Sequence, residues 1–205
     1  MKRIYVHGLG QTPASWEKTL LYLNDGEENV CPDLAGMLRG KEANYQNLYQ
    51  AFCALCDETG SPVELCGLSL GGVLSLNYAA GHPENVRSLV LIAPQYRMPK
   101  RLLRVQNTLF RFMPGSMFRQ TGFGKRELIQ LCGSMAELDF SASLCKITCP
   151  VLVVCGQRDR ANGTAAGKLA GMLSHAELRI VGGAGHEVNV DAPEQLAALL
   201  AEFYG

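Results

Sequence analysis

Two rhythms of apolar and polar positions run along the chain. Short apolar runs at 2–6, 29–32, 62–66, 87–93, 150–155 and 177–182 read as strands. Between them, stretches at 14–23, 43–58, 71–81, 163–173 and 193–203 read as helices, the last with Pro193 and Glu194 in its first turn and Asp191 as its cap. Such alternation predicts an α/β protein, a parallel sheet covered by helices. One connection breaks the rhythm. Residues 96–145 separate two strands by about fifty residues and hold helix-like pieces at 99–113 and 124–135, joined by "MPGSMFRQTGFG". A connection of that length carries function in most folds.

Composition narrows the class. The 205 residues, 47% hydrophobic and 19% charged, suit one globular domain with a full core. Lys+Arg and Asp+Glu both number 19, so no overall basic field draws the chain to nucleic acid. The start "MKRIYVHGLG" has its apolar run broken by His7 and does not read as a signal peptide. No run approaches the ~18 uncharged apolar residues of a transmembrane span. A cytoplasmic location is expected, and the eight cysteines then read as reduced, buried small hydrophobes. Cys53 and Cys56 have CxxC spacing, but no second pair or nearby histidine completes a metal set, so no metal site is expected.

The stretch "VELCGLSLGG" at 63–72 carries the candidate chemistry. A strand that passes straight into a helix needs a sharp turn, and its apex residue is forced into a strained conformation with its side chain exposed. Gly67 and Gly71 remove the Cβ atoms that would collide around that turn, leaving Ser69 to stand clear. The following helix aims its N-terminus at the same place, and the Leu70 N–H is a natural oxyanion donor. Taken alone, GxSxG also fits a serine that merely caps a helix. Context adds to it. "VHGLG" at 6–10 ends the first strand in a turn that would aim the Leu9 N–H at the same oxyanion. "VLVVCGQRD" ends a later strand at Asp159, and His186 follows the last strand in "VGGAGHEVNVDAPEQL". Ser69, Asp159 and His186 thus run in nucleophile, acid, base order, each at the C-terminal end of an expected strand.

With these residues in view, the chain resembles the α/β-hydrolase superfamily, in the serine-nucleophile branch with a helical cap. The resemblance extends over nearly the whole chain: His7-Gly8, Trp16, Asp33-Leu34-x-Gly36, "HPENVRSLVLIAP" at 82–94, "ITCPVLVVCGQRD" at 147–159 and "GAGHEVNVDAPE" at 183–194. It implies a single hydrolase domain over 1–205, with 96–145 as a helical cap insertion. It also implies a six-stranded parallel sheet ordered 2-1-3-4-5-6, because the strand before His7-Gly8 begins at Lys2 and the family's first two strands are missing. The segment "MLRGKEANY" departs from the family's Gly-His-Gly-x-Ser, so that part of the rim is not carried over. The alternative family position for the acid reads Pro94-Gln95 and offers no carboxylate, which favours Asp159. His7 is expected to order backbone, and Glu187 to be solvated.

The implied reaction is attack by Ser69 on an acyl carbon, with His186 as base, Asp159 orienting it, and the Leu9 and Leu70 amides holding the anion. No metal or organic cofactor is implied. Three functional classes stand open: a carboxylesterase-like serine hydrolase, a carbon–carbon lyase or hydrolase using the same triad, and a hydrolase-shaped binding protein without catalysis. Residues 96–146 carry nine Lys/Arg against Glu127, Glu137 and Asp139, a local net of +6. Three readings of that charge remain: a solvated cap face, recognition of an anionic acyl substrate through residues such as Arg101 and Arg104, or approach to an anionic lipid surface. The strand at 29–32 is expected at the sheet edge, blunted by Pro32 or covered in a homodimer.

Overall fold

The structure, a computed structural model, describes residues 2–60, 62–98, 100, 108, 112–115 and 122–205. Six strands form one sheet: β1 (Lys2–Val6), β2 (Glu28–Val30), β3 (Val63–Leu68), β4 (Val86–Ile92), β5 (Val151–Gly156) and β6 (Ala176–Val181). Their order is β2-β1-β3-β4-β5-β6 and every pairing is parallel, as the apolar pattern and the resemblance together imply. Around the sheet lie α1 (Glu17–Leu23), α2 (Leu34–Met37), α3 (Tyr45–Thr59), α4 (Leu70–Gly81), α5 (Lys125–Ser134), α6 (Arg160–Met172), α7 (Val188–Asp191) and α8 (Pro193–Tyr204). The expected helix at 99–113 lies largely outside the described residues, as do Arg101 and Arg104.

The central strands are buried on both faces, which is why they read as near-continuous apolar runs. Alternate side chains supply two separate cores. Ile4, Val6, Leu65, Leu89, Leu91 and Val153 face a core completed by Leu48 and Phe52 of α3 and Leu74 and Tyr78 of α4. Tyr5, Cys66, Leu68, Val90, Ile92 and Val154 face the other, completed by Leu23 of α1 and Leu196 and Leu200 of α8. Trp16 is fully buried in this second layer, its ring 5.3 Å from that of Tyr5. Each such aliphatic or aromatic side chain contributes about 1.5–3 kcal/mol. At the N-terminal ends of the strands, Arg3 and Glu64 face each other in register, with the Arg3 Nε donating to Glu64 Oε2 at 2.6 Å and Asp25 pairing with the same guanidinium.

Because all strands are parallel, their C-terminal ends share one edge. The strand order reverses between β1 and β3, and the crevice outside such a reversal is where open α/β sheets bind ligands. One local expectation is corrected. Asp191 does not cap α8, whose N-cap is Ala192; its carboxylate turns back to accept the Gly185 N–H at 2.7 Å. An orphan N–H in the loop beside His186 outcompetes the helix for it.

Candidate active site

Ser69 sits between β3 and α4 with φ 53° and ψ −112°. A left-handed φ is costly for a residue with a Cβ, and surrounding contacts must enforce it. Here the Ser69 N–H donates to Ile92 O at 2.9 Å and the Ser69 carbonyl accepts from Val73 N at 2.9 Å. Although Ser69 is the N-cap of α4, its hydroxyl makes no capping bond, which removes the ordinary explanation for a serine there. The crowding argument for the flanking glycines holds. A Cβ on Gly67 would lie 2.3 Å from Gly71 O, and one on Gly71 would lie 2.1 Å from Val6 O. The elbow is thus wedged directly against the end of β1.

Beyond β1, the chain turns tightly through Leu9 and Gly10, with Gly10 at φ 90° and Gln11 N donating to Gly8 O at 3.2 Å. Gly8 lies close enough that its Cβ would stand 3.5 Å from that of Ser69. Leu9 is half-buried beside this point, and Leu70 supplies the first N–H of α4, which no residue within the helix accepts. His7 is 1% exposed and serves the backbone: its Nδ1 donates to Gly8 O at 2.9 Å and its Nε2 accepts from Leu34 N at 3.3 Å. Burial lowers its pKa, against the opposing pull of the Gly8 carbonyl and Asp33, so the ring is held neutral.

Across the same edge, the His186 Nδ1 donates to Asp159 Oδ2 at 2.7 Å. With that proton on Nδ1, Nε2 presents a lone pair. Asp159 is buried at the N-cap of α6, whereas the His186 side chain is 42% exposed. Gly156 permits this approach, since a Cβ there would lie 2.0 Å from Gly185 O. Glu187 is exposed, as expected. Burial pushes the neighbouring Cys155 thiol up to about 11, with Asp159 adding to the effect, which leaves it inert beside the site.

Several residues that sequence reasoning passed over hold this arrangement. Asn162 donates from Nδ2 to both Asp159 oxygens, at 2.9 and 2.8 Å, and its backbone N–H reaches Oδ1 at 3.2 Å. Gln95, from the position where the family's alternative acid would stand, donates to Asn162 Oδ1 at 2.6 Å. A second network ties the turn after β1 to the loop of His186. Gln11 Nε2 donates to Asn189 Oδ1 at 3.1 Å, and Asn189 Nδ2 donates to Gln11 Oε1 at 3.2 Å and to Ser15 O at 3.2 Å. Gln11 Oε1 also accepts the Gly8 N–H at 3.3 Å. Gln11 and Asn189 are buried, so this paired amide is shielded from water. The one available signal was Asn162, three positions into a helix that begins with aspartate.

A cleft of about 300 Å³ opens between the 33–40 segment and α5, lined by Asp33, Gly36, Arg39, Gly122, Phe123 and Glu127. Within 96–146, Arg97 pairs with Asp139 at 3.2 Å and Lys100 with Glu137, while Glu127 caps α5 through the Gly124 N–H at 2.6 Å. All three acidic residues of that segment are therefore engaged locally. Among the described residues no cluster of His, Cys, Asp and Glu is arranged to hold a metal ion. No helix among them is long and apolar enough to cross a membrane.

Comparison with known proteins places the chain in a family. A model of the alpha/beta hydrolase family matches residues 4–199. The biotin biosynthesis bifunctional protein BioHC of Cellvibrio japonicus is 24% identical over 239 residues, covering 98% of this chain and 47% of its own length. The chain thus spans about half the length of that relative. The 3-oxoadipate enol-lactonase 2 of Acinetobacter baylyi is 24% identical over 226 residues, covering 93% of this chain and 84% of its own. Among solved structures, a thermophilic esterase from Thermogutta terrifontis superposes with a TM-score of 0.82 at 20% identity, over 100% of this chain and 89% of its own.

Proposed function

The chain belongs to the alpha/beta hydrolase family, and from that premise we propose that it is an enzyme of that type, a serine hydrolase cleaving a carboxylic ester through an acyl-enzyme on Ser69. The observation that carries this reading is Ser69 itself: a left-handed, non-capping serine at the strand-to-helix turn, on the sheet edge that also bears the Asp159–His186 pair. The lactonase and esterase among its relatives support the ester as substrate class.

In this reading His186 Nε2 accepts the Ser69 proton as Oγ bonds to the acyl carbon, and the carbonyl electrons move onto oxygen. The resulting anion is held by the Leu9 and Leu70 N–H groups, assisted by the N-terminal end of α4. Collapse expels the alkoxide, which takes the proton back from His186. Water, deprotonated by His186, then attacks the acyl-enzyme and frees Ser69. Asp159 stays ionised throughout and steadies the imidazolium, while Asn162 keeps its carboxylate aligned. The segment 96–145 is the cap of this reading, and the basic excess of its sequence, nine Lys/Arg against three acidic residues over 96–146, favours an acyl chain carrying an anion.

A fluorophosphonate probe tests the reading directly. Wild-type protein is expected to be labelled at Ser69, and Ser69→Ala and His186→Ala to lose ~10⁴–10⁶ in kcat on nitrophenyl esters while remaining folded. Labelling elsewhere, or undiminished turnover by folded Ser69→Ala, would overturn it.

A further inference from the structure

At the end of the sheet opposite β2, strand β6 has no neighbour on its outer side among the described residues. It also exposes Leu178 and Ile180, at 38% and 54% of their surface. In a strand, the N–H and C=O of one residue point the same way and alternate from residue to residue. The carbonyls of His175 and Val181 accept from Val151 and Gln157 on the β5 side, at 2.8 and 2.9 Å. Glu177 and Arg179, in phase with them, therefore turn their backbone toward β5. Ala176, Leu178 and Ile180 turn theirs toward the open edge.

That open edge is self-complementary. The strand core reads Ala-Glu-Leu-Arg-Ile from 176 to 180. Set antiparallel to a copy of itself about a two-fold axis at Leu178, it places 178 opposite 178, 176 opposite 180, and Glu177 opposite Arg179. Residues 176, 178 and 180 are the ones with free outward N–H and C=O groups, so each falls in a hydrogen-bonded pair of the new ladder. Glu177 and Arg179 fall in the closer, non-hydrogen-bonded pairs, where opposite charges interact best. Within one chain Arg179 already contacts Glu177 and reaches Glu202 of α8 at 3.0 Å, so one guanidinium serves two carboxylates. Pairing gives each Glu177 the copy's Arg179 as well. The edge at β2 lacks these features: it is three residues long, reads Glu-Asn-Val, and sets Glu28 opposite Val30 in any two-fold register about Asn29.

From this we infer that the protein forms a two-fold dimer by antiparallel pairing of β6 with β6 of a second copy, continuing the sheet across both. A five-residue edge makes an interface smaller than the ~1,000 Å² typical of stable assemblies, so the dimer is reversible and dissociates on dilution.

Sedimentation velocity on the full chain over a concentration series tests it. The wild type is expected to move from the 22.3 kDa chain mass to twice that mass as concentration rises. Leu178→Pro removes an N–H that points away from β5, so it spares the native ladder, blocks the new one and yields a monomer. Thermal melts verify that it folds. Glu177→Arg and Arg179→Glu, each alone, set like charges opposite one another and are expected to be monomers. Mixed in equal amounts, they are expected to form a heterodimer, because each basic pair then meets an acidic pair. A wild type that remains at single-chain mass at its highest soluble concentration overturns the inference, and so does a dimer that survives Leu178→Pro. Failure of the two charge variants to associate with each other overturns the register on which it rests.

Discussion

Gly156, the last residue of β5, is the tightest point between the sheet and the loop that carries His186. A methyl group there would stand 2.0 Å from Gly185 O and 2.6 Å from Ala184 O. Carbon and carbonyl oxygen come to rest no closer than about 3.3 Å, so Gly156→Ala drives the loop back by roughly 1.3 Å. His186 is the next residue after Gly185, and its 2.7 Å bond to Asp159 tolerates a stretch of only about 0.5 Å before it leaves hydrogen-bonding range. A misplacement of about 1 Å in a catalytic group costs ~10² in rate, equivalent to about 2.7 kcal/mol of transition-state stabilisation. Overpacking adds a stability loss of ~1–3 kcal/mol. The assay is kcat/KM on a nitrophenyl ester, with a thermal melt to establish that the variant is folded at the assay temperature. Gly167→Ala in α6 is the control, because its Cβ meets nothing within 4 Å; it is expected to gain ~0.5–1 kcal/mol in stability and to keep its rate. A folded Gly156→Ala protein with wild-type kcat/KM would refute the argument that this contact sets the position of the base.

Two further outcomes are expected. Gln11→Leu and Asn189→Leu each strand the partner's buried amide and should cost ~2–3 kcal/mol in urea unfolding, whereas the double variant should cost clearly less than the two together; strict additivity would show that the pair does not act as a unit. His7, whose folded pKa lies below its unfolded value of about 6.5, stays neutral in the native state while the unfolded chain takes up a proton. Its contribution is complete above pH ~6.5 and falls by up to ~1.4 kcal/mol per pH unit below it, until the native ring also titrates. His7→Gln should flatten that part of the stability profile, and an unchanged slope would assign the acid sensitivity to another group.

The central strands were legible because burial on both faces leaves an unmistakable run of apolar residues, and the strand order followed from the resemblance. Their ends were less so. Gly67 looked like part of the turn, but it lies inside β3, because the ladder pairs it with Val6 of β1 and Leu91 of β4 and pairs Leu68 with Ile92. The four-residue helices α2 and α7 are too short to show a period. Ser69, Asp159 and His186 could be placed because each follows a strand. Gln95 could not, since its bond to Asn162 joins side chains from different loops and leaves no local pattern, and Asn162 left only its spacing from Asp159 at the helix start. Asp191 misled for the same reason: the local rule offered it to a helix terminus, and a loop N–H six residues back took it.

The amide bridge between Gln11 and Asn189 joins positions 178 residues apart in the chain. Contacts of such separation pay a large loop-closure entropy and form late. Pairing of β1, β3 and β4 can bend the elbow around Ser69 early, but the turn after β1 and the loop of His186 enter register only when α1, α7 and α8 close over the second core. In the proposed mechanism, an incompletely folded chain therefore displays a serine with no base and no anion site, and it does not attack esters. Onset of turnover during refolding would time the final docking event, and a hydrolytic assay would count finished molecules where a spectroscopic probe counts formed helices.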